Sequence, residues 1–77
     1  MSIYSVFVGN YETTSATKSD IAKLNKLGLK AFVFSRNDHY ALKVFASPNK
    51  QAVDLLSSKL KGLGYTIEVE ETKLNIH

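Results

Sequence analysis

Few side chains in this 77-residue chain are equipped for chemistry on a bound molecule. Its two histidines are His39, in a short polar break between two apolar segments, and His77, the last residue. Neither has a sequence neighbourhood that would tune it as a base, and each reads as a solvated side chain. Glu68, Glu70 and Glu71 are close enough to suggest an acid and base pair. Their interleaving with Ile67 and Val69 reads instead as the exposed side of a strand. The absence of cysteine removes thiol catalysis, disulfides and cysteine-ligated zinc, and no spacing of histidines and carboxylates matches a metal-ligand pattern. The sequence is therefore read as non-enzymatic, with no cofactor and no metal. What stands out is apolar: four phenylalanines, Phe7, Phe32, Phe34 and Phe45. Such rings lie flat on sugar rings, stack on bases or bury against another protein.

The elements that must position these rings fit into one domain, because a chain of this length has room for no more. A domain this small buries only about 60% of the surface its unfolded chain exposes, so the core has to be compact. The net charge of +3 is unevenly placed. Residues 1–65 carry nine basic and four acidic groups, whereas residues 66–77 carry Lys73 against three glutamates. Most of the basic residues fall at polar positions of amphipathic segments, so a nucleic-acid role is permitted by charge but not indicated. Apolar runs stay well short of the roughly 20 residues of a membrane span, and Met1 to Asn10 contain no basic leader region. Neither a signal peptide nor an anchor is read in this chain, and localisation is left open by composition.

An offset of 36 residues aligns the two halves without a gap. It pairs Tyr4 with Tyr40, Val8 with Val44, Ala16 with Ala52, Lys23 with Lys59, Leu24 with Leu60, Leu27 with Leu63 and Gly28 with Gly64. The matched positions build a core or end a helix, so each half reads as strand, helix, strand. Residues 3–8 alternate with the period of a strand, and Gly9 and Asn10 break it. Residues 15–27 place Ala16, Ile21, Leu24 and Leu27 near one helical face, and Gly28 follows as a C-terminal cap. Residues 30–36 read as a second strand, joined through Asn37 and Asp38 to a third at 40–45. Ser47 and Pro48 suit a second helix start, with Ala52, Leu56, Leu60 and Leu63 leading to Gly64. Residues 65–70 read as the fourth strand, the domain spans 3–71, and 72–77 is a tail.

The expected fold is thus α+β: a ferredoxin-like β-α-β-β-α-β split fold with a 36-residue pseudo-repeat. Right-handed crossovers put both helices on one face of a four-stranded antiparallel sheet. Strand parity assigns Tyr4, Val6, Val8, Ala31, Val33, Leu42, Val44, Ile67 and Val69 to the helix side. It leaves Ser5, Phe7, Phe32, Phe34, Ala41, Lys43, Phe45, Thr66, Glu68 and Glu70 on the open side, so that all four phenylalanines share the uncovered face.

Several segments resemble those of the SPOR domain, the sporulation-related repeat. They are residues 4–11 (YSVFVGNY), the helix ending LNKLG at 24–28, the strand YALKV at 40–44 and the second helix ending LKGLG at 60–64. The resemblance runs from about Tyr4 to Glu70. It implies two short repeats folded as a β-α-β-β-α-β sheet whose open face binds peptidoglycan, especially glycan strands stripped of their stem peptides. It further implies targeting of cell-division or sporulation proteins to the bacterial cell wall, and hence a wall-associated location.

The chain departs from the family pattern at informative places. Phe7 stands where the family usually has Gln, Asn10 where it has Ser, Ala41 where Arg is common and Phe45 where Gly is common; Tyr11 keeps an aromatic. The expected ligand-binding set is Phe7, Asn10, Tyr11, Phe32, Phe34, Lys43 and Phe45. Exchange of polar residues for Phe makes the face drier than a typical glycan-binding one, which keeps a protein partner or a homodimer through the Phe-rich face as the second reading. Base stacking is a minor third, because the strand at 40–45 lacks the glycine-rich basic motif of RNA-recognition sheets.

Overall fold

The computed structural model describes residues 1–74. Its elements run β1 (Ser2–Tyr11), a 3-10 turn (Ser15–Thr17), α1 (Lys18–Lys26), β2 (Phe32–Ser35), β3 (Tyr40–Ser47), α2 (Lys50–Gly62) and β4 (Ile67–Lys73). All strand pairings are antiparallel, in the order β2-β3-β1-β4. This is the expected α+β split fold, with β1 and β3 central and β2 and β4 at the edges.

The core lies between the sheet and the helices. Val6, Val8 and Leu42 from the central strands meet Leu24 of α1 and Val53 and Leu60 of α2, all fully buried. Leu24 and Leu60 also anchor matching helix ends. The Leu29 N–H donates to the Leu24 carbonyl and the Gly28 N–H to that of Asn25; Tyr65 and Gly64 do the same to Leu60 and Lys61. These are Schellman caps, and they require the positive φ that Gly28 (86°) and Gly64 (97°) adopt without a Cβ penalty. Because the helix proper ends before Leu27 and Leu63, those leucines sit on the caps and are exposed rather than in the core.

Other boundaries shift for local reasons. The first helix opens with the 3-10 turn, where the Thr17 hydroxyl donates to the Thr14 carbonyl (2.6 Å) instead of capping α1. The second starts at Lys50 rather than at Pro48, because Asn49 is the cap: its Oδ1 accepts from the Ala52 N–H (3.3 Å), while the Ser47 Oγ accepts from the Asn49 N–H (3.0 Å). The fourth strand takes in Thr72 and Lys73, read from the sequence as tail, because they pair with Ile3 and Ser2. Residues 75–77 of that tail, His77 among them, lie outside the described residues.

Candidate binding face

Two irregularities in the central pair decide which side chains reach the open face. Between β1 and β3, Val6 pairs with Phe45 but Phe7 pairs with Lys43, so Val44 is an extra residue in β3. A bulge of this kind leaves two residues facing one partner and resets the alternation beyond it. Phe45 therefore falls with Val6 on the helix side, where it packs against the core. Its assignment to the open face is corrected: strict parity fails at the extra residue. The second irregularity lies between Val8 and Tyr11, which pair with Leu42 and Tyr40. It turns Tyr11 toward the helices too, where the phenol packs on the core and donates to the Asp20 carboxylate at 2.5 Å. Burial, then this hydrogen bond, raises the Tyr11 pKa well above the usual phenol value. Tyr11 is a tether between β1 and α1, and its expected place in the site is corrected as well. Asn10, within that bulge, is exposed near the end of β1.

The remaining candidates meet on the open side. Phe7 pairs with Lys43 on one flank and Glu68 on the other, and Lys43 with Phe32; Phe34 pairs with Ala41. The Phe7 and Phe34 rings meet edge to face with centroids 5.7 Å apart. Yet Phe7 is only 4% exposed, although no helix among the described residues covers this side. Its cover is Arg36, which sequence reasoning missed. From the end of β2 the Arg36 side chain crosses the sheet, sets its guanidinium 4.5 Å from the Phe7 ring centre and bonds to Glu68 (3.2 Å) and Glu70 (2.9 Å) on β4. The Glu70 hydrogen bond is the main reason the Arg36 pKa rises above its ordinary value. The only sequence signal for this strap is parity, which places Arg36 on the same side as Phe34, Glu68 and Glu70.

With the centre strapped, the open face has two unlike ends. Around the strap, Ser35, Arg36, Asn37, Asp38, His39, Glu68 and Glu70 line a polar depression of about 490 Å³. There the His39 Nδ1 sits 2.9 Å from the Asp38 carboxylate, whose pKa that contact lowers. Of the three carboxylates read as the exposed side of the last strand, Glu68 and Glu70 are Arg36 partners and Glu71 accepts from the Ser2 hydroxyl. At the other end Phe32 (59% exposed) and Phe34 (41%) present their rings beside Lys43, whose Nζ lies 5.4 Å from the Phe34 ring centre. They line a largely apolar groove of about 400 Å³ with Lys30, Val44, Phe45 and Ala46. Of the seven expected residues, the fold brings Phe7, Phe32, Phe34 and Lys43 together on the open face. Phe45 packs against the core and lines the groove from the helix side.

The fold has a known counterpart. The chain aligns over 95% of its length with 92% of the peptidoglycan binding domain of the B. subtilis cell wall lytic enzyme CwlC, at a TM-score of 0.75 and 19% identity. A de novo designed protein, Foldit4, is also similar, with a TM-score of 0.54 and 11% identity over 96% of this chain and 98% of the design. No protein-family model matches the chain, and no curated protein matches it. Identities this low establish the fold alone, and a designed chain with the same architecture underlines that the fold does not name a ligand.

Proposed function

We propose that this domain is a non-catalytic binding module of the SPOR type, which attaches a protein to peptidoglycan glycan strands through its open sheet face. The observation that carries the proposal is the near-full-length likeness to a peptidoglycan binding domain combined with what this chain places on the uncovered side. Phe32 and Phe34 offer flat apolar surface to the faces of sugar rings, and Lys43 offers a cation and a hydrogen-bond donor between them. The Arg36 strap holds Phe7 down as a floor, so the contact surface is the β2 and β3 side rather than the sheet centre.

Co-sedimentation with purified sacculi tests this reading. Binding should be present, should increase after amidase treatment of the sacculi, and should be lost in Phe32→Ala with Phe34→Ala. A double variant that binds as well as the parent overturns the assignment of the face. A domain that ignores sacculi but dimerises through the same two rings would instead establish the second reading, which rests on their exposure.

A further inference from the structure

The groove beside Phe32 has a feature that glycan binding does not use. β3 runs from Tyr40 to Ser47, but β2 pairs with it only from Tyr40 to Lys43. Over residues 44–47 the side of β3 turned away from β1 has no neighbouring strand, and no loop backbone among the described residues bonds to it. A free edge of this kind is a template for one more strand.

We propose that this edge is a docking site for an extended acidic peptide segment, which adds as a short strand along β3 in line with β2. Three observations converge on that occupant. Main-chain donors and acceptors left free along a strand recur with the strand repeat, which an extended peptide matches group for group. Phe32 and Phe45 flank the edge and form apolar walls for alternate side chains. Among the described residues, the charged groups of the groove are Lys30 and Lys43, no carboxylate lines it and neither lysine forms an ion pair. Arg36, by contrast, is already neutralised by Glu68 and Glu70, so the uncompensated positive charge of this side lies at the free edge. The site shares Phe32 and Lys43 with the face proposed for glycan, but its main-chain contacts lie on the strand edge rather than on the sheet face.

The test is a titration of the isotopically labelled domain with a short capped peptide alternating valine and glutamate, followed by amide chemical shifts and hydrogen exchange. The amides of residues 44–47 should shift and their exchange should slow. An analogue N-methylated on its backbone, and one with lysine in place of glutamate, should each bind about tenfold more weakly or worse. Lys30→Glu with Lys43→Glu should reverse the preference toward the lysine peptide. Four results would overturn the proposal: no shifts at millimolar peptide, equal binding of the N-methylated analogue, the same amides responding to protein concentration alone, or the same amides responding to glycan fragments. The third would assign the edge to a second copy and the fourth to the sugar.

Discussion

The Arg36 guanidinium stacks over the Phe7 ring at 4.5 Å while bonding to Glu68 and Glu70. A strand-edge arginine thereby buries a ring at the sheet centre and ties β2 to β4, which do not pair with each other. Replacing it should uncover Phe7. Arg36→Ala is expected to lower Tm by a few degrees and to raise binding of an apolar dye, and Arg36→Lys should only partly restore both, because an ammonium lacks the planar stacking surface and the fork that reaches two carboxylates. Both glutamates are about half exposed, so rising salt should narrow the gap between parent and variant.

Phe7 and Phe32 face the same side but should respond oppositely to truncation. Phe7→Ala removes a ring that is 4% exposed and should cost about 3 kcal/mol or more by urea unfolding. Phe32→Ala removes an exposed ring and should change stability by less than about 0.5 kcal/mol while weakening attachment to sacculi. If both variants lose binding and only Phe7→Ala loses stability, Phe7 is structural and Phe32 is contact surface.

The Tyr11–Asp20 hydrogen bond makes stability fall at high pH. The phenol pKa is raised in the folded protein, by burial first and by Asp20 second. Its stabilising contribution is complete below the unfolded value of about 10 and is lost as pH rises above that toward the folded value. Urea midpoints of the parent should decline above pH 10 more steeply than those of Tyr11→Phe. Ultraviolet titration should show Tyr11 and Tyr65 ionising late, since burial raises the Tyr65 phenol as well.

Gly9 is set by the same tether. A Cβ at this position would overlap the Tyr11 ring, so Gly9→Ala is expected to displace the phenol from Asp20. The variant should lose more than about 1 kcal/mol and should also lose the late-titrating behaviour of Tyr11. Late titration of Tyr11 retained in a destabilised variant would assign the loss to backbone strain at the positive φ of Gly9 rather than to displacement of the ring.

Much of this architecture is legible in the sequence because its signals are periodic. Alternation gives four strands, the leucines at 24 and 60 give two helices, and glycines at 28 and 64 give their ends. The site is less legible, for two physical reasons. Alternation counts residues, and a bulge adds one without a compositional mark: nothing about Val44 distinguishes it from the pairing valine at position 8, yet it sends Phe45 to the other face. The break at Gly9 and Asn10 is marked by its residues, but whether Tyr11 resumes on the old side depends on how many residues the bulge absorbs. Arg36 was hidden by reach. It lies two strands away from the ring it covers, a distance that pattern arguments about neighbouring positions do not span.

The pairing of β1 with β4 sets Ser2 opposite Lys73, while β2 and β3 are joined by a tight hairpin bond from the Arg36 N–H to the His39 carbonyl. Each central strand thus has one edge strand beside it, and a chain linked from Lys73 to Ser2 and opened between Asn37 and Asp38 would begin at β3 and finish at β2. Its elements would still read strand, helix, strand, strand, helix, strand. The molecule is therefore a natural subject for circular permutation: exchanging the order of its halves leaves the topology unchanged, and only the connection that is local in sequence differs.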